Sequence, residues 1–277
     1  MHIRNTGNVS DSSEIANPIR PQIVDLSLPL ENDRAWAPWW ARNQVKYQNH
    51  QFGKRVIRLL FGLPAKYLKT GLGWANDVIK LSTHGTTHVD APWHYSPVCE
   101  GQPARTIDQM PLDWFYGPGL VLDIRHLDES SAASQRDIEQ GLEKIGHQLR
   151  PGDIVLIRTG NDQRWGKREY YSRGPGVSAE ATRWLLDQGI RLTGIDAWGW
   201  DAPLKEQAKR AKQANRDDLF WEAHFVGIEK EYCHIERLAN LDQLPVKGFT
   251  AIAFPLKVKN GSAGPARVAA LLNPSPA

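Results

Sequence analysis

The chain has 277 residues, 41% of them apolar, which is enough for one large domain or two small ones with a real core. Its 34 basic and 31 acidic side chains leave a net charge of +3, too balanced to argue for a nucleic-acid partner. Two cysteines, Cys99 and Cys233, without a C-x-x-C indicate neither a disulfide framework nor a thiolate zinc site, and no stretch is apolar enough to span a membrane.

Residues 1–22 are polar, rich in Ser and Asn and without an apolar h-region, so a flexible N-terminal tail is expected rather than a signal peptide. Cytoplasm is the default compartment. Ile23–Leu28 and Val78–Leu81 are candidate strands, and the short apolar runs Leu120–Ile124 and Ile154–Arg158 have buried-strand character. Between those two runs Ser134–Leu149 reads as a helix. Ser134 and Asp137 resemble a capping pair, and Ile138, Leu142, Ile145 and Leu149 share a face. A second helix is expected over Ser178–Gln188, capped by Ser178 and stopped by Gly189. The basic stretch Lys205–Arg216 reads as the solvated face of a helix. Arg191–Asp196 and Phe249–Val258 supply later strands, the last interrupted by Pro255. No internal repeat, G-x-G-x-x-G or Walker motif occurs. The alternation indicates an α/β or α+β fold.

The chemistry concentrates in Ser82–Tyr95, which reads STHGTTHVDAPWHY. His84, His88, Asp90 and His94 fall at even steps, so an extended segment projects them from one face. A helix would swing Asp90 and His94 away from the His84/His88 stripe, and the glutamate of H-E-x-x-H is missing. A flat strand would hold the His84 and His88 α-carbons about 13 Å apart. The segment must therefore curl, and Gly85 offers a place to do so. Two imidazoles and a carboxylate on such a face suit zinc or manganese. Each residue alone could be an ordinary hydrogen-bonded group, but burying all of them unpaired would be costly. Further downstream His224, Glu229, Glu231, His234 and Glu236 are all open as a second ligand set or as surface charges.

The segment resembles the H-x-G-T-H-x-D-x-P-x-H signature of metal-dependent hydrolases of the cyclase-like family that includes bacterial kynurenine formamidase and isatin hydrolase. His84, Thr87, His88, Asp90, Pro92 and His94 are in place, while Thr86 stands where the pattern has Gly. Asp25–Ser27, Gly152–Leu156, Glu236–Leu241, Pro255–Lys257 and Gly264–Arg267 also resemble family segments, in family order across residues 23–272. The resemblance implies a swivelling β/β/α architecture: an α/β single domain over 23–277, with a mixed sheet, packed helices and inserts near 34–76 and 198–221. The family carries a histidine twelve positions before its segment glutamate. His224 and Glu236 satisfy that spacing and His234 does not, so His224 and Glu236 resemble second-site ligands, with Asp90 bridging if two ions bind. Asp196, in GIDAW, also resembles a family position and reads as strand-end or supporting structure. His94 is read as the proton shuttle; spacing alone leaves it open as a fourth ligand, and the resemblance decides.

The expectation is a hydrolase holding one or two Zn or Mn ions per subunit, with no other cofactor. It would cleave the C–N bond of a small aryl or cyclic amide. A lactone hydrolase and a metal-retaining binding protein without turnover are the alternatives. Eleven tryptophans, including Trp36, Trp39, Trp40 and Trp74 in one insert and Trp198, Trp200 and Trp221 in the other, either staple the inserts to the core or wall an aromatic pocket. A homo-oligomer, dimer or tetramer, is expected.

Overall fold

A computed structural model describes residues 21–35 and 37–272. Residues 1–20 of the expected 1–22 tail and Trp36 lie outside the described residues, and Gln22 already belongs to a strand. A nine-stranded mixed sheet organises the rest. Its strands are β1 (Gln22–Asp25), β2 (His88–Asp90), β3 (Tyr116–Asp123), β4 (Ile154–Arg158), β5 (Leu192–Ile195), β6 (Cys233–Glu236), β7 (Lys247–Ile252), β8 (Ala263–Pro265) and β9 (Ala269–Leu272). Their spatial order is β1-β9-β7-β3-β4-β5-β6-β2-β8. β3 through β6 run parallel, and the flanking pairs are antiparallel. The helices are α1 (His50–Phe61), α2 (Pro92–Tyr95), α3 (Gln135–Ile145), α4 (Ala179–Asp187), α5 (Leu204–Ala214) and α6 (Val226–Glu229). The α/β class, the mixed sheet and the packed helices are as the sequence suggests.

β4 and the Leu120–Leu122 part of β3 are continuous apolar runs because both their faces are covered. Leu120, Leu122, Val155 and Ile157 pack with Ile138 and Leu142 of α3 and Leu185 of α4. The alternate residues Val121, Ile154 and Leu156 pack on the other side with Leu26, Val89, Phe249 and Ala270. α3 has the expected capping box between Ser134 and Asp137 but ends at Ile145, because Gly146 takes a left-handed cap with φ 61°. β1 stops at Asp25 rather than Leu28. β7 stops at Ile252, leaving Pro255 in an isolated bridge to Ala266. The basic stretch forms α5, whose one buried residue is Gln207.

The sheet is strongly curled, and the connections require it. β9 and β8 stand second and ninth in the strand order, yet only residues 266–268 separate them along the chain. A flat sheet at about 4.8 Å per strand would set them about 34 Å apart. Three linking residues reach about 15 Å at most. The curl brings Leu26 and Thr87 to the same connector: Leu26 N donates to Val268 O (2.9 Å) and Ala266 N to Thr87 O (3.0 Å). This fold places β2, a strand of only three residues, between two long-range neighbours.

Candidate metal centre

β2 lies between β6 and β8. In the β2–β6 register His234 stands opposite Asp90 and Glu236 opposite His88. Residues two apart share a strand face, so four ionisable side chains converge on one side. All four are buried. The strand covers only 88–90, which corrects the expectation of an extended segment through His94. His84 arrives from a turn closed by Gly85 N donating to Ser82 O (2.8 Å), and His94 sits on α2, started by Pro92. Gly85 serves a close approach: a Cβ there would meet Asn43 Oδ1 at 2.0 Å, and Asn43 Nδ2 donates to Gly85 O (2.7 Å). The Thr86 hydroxyl donates to Leu28 O (3.3 Å) instead of entering the cluster.

Two carboxylates straddle the imidazoles. Asp90 Oδ1 lies 2.8 Å from His84 Nδ1 and 3.2 Å from His88 Nε2. Asp90 Oδ2 lies 3.0 Å from His234 Nε2 and 3.8 Å from His94 Nε2. Glu236 Oε1 lies 3.3 Å from His234 Nε2 and 3.5 Å from His224 Nε2, and Oε2 lies 3.6 Å from His88 Nε2. The groups able to share an ion are therefore His84, His88 and Asp90, and Asp90, His224, His234 and Glu236.

The donor set fits divalent cations on three observations. Donor atoms bound tetrahedrally at 2.0–2.1 Å stand about 3.3 Å apart, close to the separations above. His88 Nε2 and Asp90 Oδ1 are buried and have no hydrogen-bond partner, although they face each other. The far nitrogens are held: His88 Nδ1 donates to Thr86 O (2.6 Å), and His224 Nδ1 donates to Asp201 Oδ2, so both Nε2 atoms point inward. His84 Nε2 rests on Ser262 Oγ at 3.0 Å. Asp201 is itself fixed by Ala223 N (3.0 Å) and Gln207 Nε2 (3.2 Å), while Trp221 stacks on His224 with ring centroids 4.4 Å apart.

Burial acts to raise the Asp90 carboxyl, but His94, His84, His88 and His234 outweigh it and hold the group well below the usual carboxylate range. Burial and the Asp90 charge both act to raise Glu236, yet hydrogen bonds from His224 and His234 keep it well below its ordinary value. His224 is disfavoured as a cation by burial, but Asp201 and Glu236 push it up to about 10. Burial pushes His94 down to about 3 against the pull of Asp90, so its imidazole is neutral at physiological pH.

His84, His88, Asp90, His94, His224 and Glu236 thus meet at one place. Glu229 and Glu231 do not: they pair with Arg183 and Arg105. His234, set aside by the twelve-residue spacing, is inside the cluster. Its signal was the strand period, since His234 and Glu236 are two apart in C-H-I-E. Asp196 lies at a strand end, accepting from Thr159 N (2.7 Å), Thr159 Oγ1 (2.6 Å) and Gly160 N (2.9 Å), and burial pushes it up to about 7.

A cavity of about 450 Å³ opens onto the cluster, with His84, His94, His224 and Glu236 in its lining. Trp40, Trp198, Trp221, Tyr171 and Phe220 supply aromatic walls. The remaining tryptophans divide. Trp200 is fully buried and donates to Thr182 Oγ1 (3.0 Å), whereas Trp39 is 77% exposed and Trp74 46% exposed.

The model of the family described as putative cyclase matches residues 24–202. The chain belongs to the cyclase family. It is 27% identical to isatin hydrolase from Roseibium aggregatum over 248 residues, covering 85% of this chain and 84% of that one. It is 30% identical to kynurenine formamidase from Salinibacter ruber over 204 residues, covering 72% and 80%. The structure of isatin hydrolase A from Labrenzia aggregata, bound to benzyl benzoate, superposes with TM-score 0.69 at 28% identity over 91% of this chain and 94% of that one. With such relatives and this cluster, this member of the cyclase family is a metal-dependent hydrolase.

Proposed function

We propose that the protein hydrolyses the C–N bond of a small aryl or cyclic amide. One or two divalent cations, zinc or manganese, would be held by His84, His88 and Asp90 and by Asp90, His224, His234 and Glu236. The carrying observation is the pair of carboxylates set among imidazoles, with facing atoms unpaired, at the base of an aromatic cavity. A bound divalent ion supplies a water that ionises near neutral pH and a positive charge opposite the developing oxyanion.

His94 supplies the proton transfer. It starts neutral, accepts a proton and delivers it to the leaving nitrogen, an exchange an amide needs more than an ester does. Trp221 packs edge-on against its ring at 5.0 Å and limits its rotation. Trp198 and Trp221 offer faces for a planar ring, in keeping with relatives named isatin hydrolase and kynurenine formamidase. The test is turnover of formanilides, cyclic amides and lactones by protein stripped of metal and reloaded with zinc or manganese. Amide hydrolysis that returns with metal supports the reading. Lactone hydrolysis alone would replace it with the ring-ester alternative, and tight ligand binding without turnover would overturn hydrolysis altogether.

We also infer a homo-oligomer, a dimer or tetramer, from the apolar side chains that Trp39, Leu59, Leu60, Phe61, Val78 and Ile79 present to water. Cys99 and Cys233 are buried free thiols, which favours the cytoplasm as its compartment. Among the described residues no helix is long and apolar enough to cross a membrane.

A further inference from the structure

Helix α5 exposes Lys205, Lys209, Arg210 and Lys212, yet its one buried side chain is also polar: Gln207 is 0% exposed. A buried amide is costly unless its hydrogen bonds are met. Here they are. Gln207 Oε1 accepts from Trp221 N, and Nε2 donates to Ala202 O (2.7 Å) and Asp201 Oδ1 (3.2 Å). Only one orientation of the amide suits these partners, since the carbonyl and the carboxylate accept while the backbone N–H donates.

Both ends of that amide lead to the metal centre. On one side Asp201 accepts from His224 N (3.1 Å) and from the His224 ring, whose Nε2 faces Glu236. On the other, Trp221 takes φ 60°, a left-handed conformation that is an outlier for so bulky a residue. Gln207 holds its N–H, and Phe225 N holds its carbonyl (3.1 Å). The Trp221 ring stacks on His224 at 4.4 Å, with 22° between the planes, and meets the His94 ring edge-on at 5.0 Å and 90°. Strained backbone of this kind persists only where its surroundings over-determine it, and it clusters at functional sites. α5 reaches the next residue as well: Arg210, further along the helix, lies 3.7 Å from Glu222.

We propose that Gln207 is a positioning residue. Through one amide it fixes the Trp221 ring against His94 and the Asp201 carboxylate against His224, so α5 sets both the proton-transfer group and a metal donor. The His94 arm rests on the amide-hydrolase reading; the His224 arm does not.

Two readouts on zinc-loaded protein separate the arms. Gln207→Met keeps the length of the side chain and removes all three hydrogen bonds. The chelator 4-(2-pyridylazo)resorcinol should strip its zinc at about tenfold lower concentration than in wild type. With zinc in excess, kcat for formanilide should be about 10–100-fold lower. Gln207→Glu keeps the acceptor for Trp221 N but not the donors to Asp201. It should lose zinc as readily as Gln207→Met while its kcat stays nearer wild type, and it carries the zinc test should the Met variant fail to fold. In an Asp201→Asn background Gln207→Met should change zinc retention little, because the carboxylate it acts through is already altered. Wild-type zinc retention in the Gln207 variants, effects that add to those of Asp201→Asn, or zinc, kcat and Tm falling in parallel in both Gln207 variants overturns the proposal. The expected zinc losses without formanilide turnover, even in wild type, uphold the hold on His224 and count against the amide reading instead.

Discussion

The strand pair β2–β6 and the arm over residues 39–79 invert the usual arrangement in opposite senses. In β2–β6 every residue is buried, and His88, Asp90, His234 and Glu236 are among them. Along the arm Trp39 is 77% exposed and Leu59 is 83% exposed, on elements that are otherwise well formed: α1 has an Asn49 cap at its start and a left-handed Gly62 at its end. Polar groups inside and apolar groups outside are the informative exceptions to a core-and-surface pattern. An ion completes the first, and we propose that a second protein surface covers the other.

That contrast breaks if the inner cluster does not depend on metal. Asp90→Asn alters the carboxylate shared by both donor groups and should have the largest effect. Bound metal, read by mass spectrometry, should fall to background, and activity should fall by about 10³-fold or more. Retention of wild-type metal content would place the ion elsewhere. His94→Ala should keep metal while lowering kcat by about 10²–10⁴-fold, with a smaller loss for activated phenyl esters than for anilides. A parallel fall of metal and activity, partly restored by added metal, would make His94 a ligand.

Asp201→Asn probes support at one remove from the donors. Metal affinity should drop about 10–100-fold, as is usual when the partner of a ligating histidine is lost. The pH dependence sharpens this. His224 is raised to about 10 by Asp201 and Glu236, so at neutral pH a cation must displace its proton. Apparent affinity in wild type should therefore rise about tenfold per pH unit below that value, and the slope should flatten in Asp201→Asn. The smallest effect on the fold is expected at the arm. Leu59→Lys with Leu60→Lys should change the protomer's unfolding free energy by no more than about 0.5 kcal/mol, because the two side chains are 83% and 66% exposed. Sedimentation should nonetheless shift toward monomer. An unchanged sedimentation profile would mean that the arm is not the oligomer contact.

What was legible in the sequence was local. The capping pair Ser134–Asp137 and the run Ile154–Arg158 specify themselves within a few residues. The His84–His94 cluster could be read because its donors are adjacent in the chain, although their geometry could not: a turn, a three-residue strand and a one-turn helix replace the single extended face. His234 was missed because its place depends on the register of β6 against β2, and nothing near it in sequence states that register. Asp201 was invisible for the same reason, lying 23 residues from the histidine it holds. The exposed arm runs against any reading that assigns tryptophan to the interior, since Trp39 is 77% exposed.

The isolation of β2 between β6 and β8 has a consequence for biosynthesis. Asp90 and His234 are 144 residues apart, so the ribosome releases one long before the other exists. At roughly 5–20 residues per second, the His88–Asp90 segment waits about 7–29 s without its neighbour. Throughout that interval His84, His88 and Asp90 are present without His224, His234 and Glu236, and β8 arrives later still. The divalent cations present during translation, as well as those met by the finished enzyme, therefore bear on which ion the cluster takes up first.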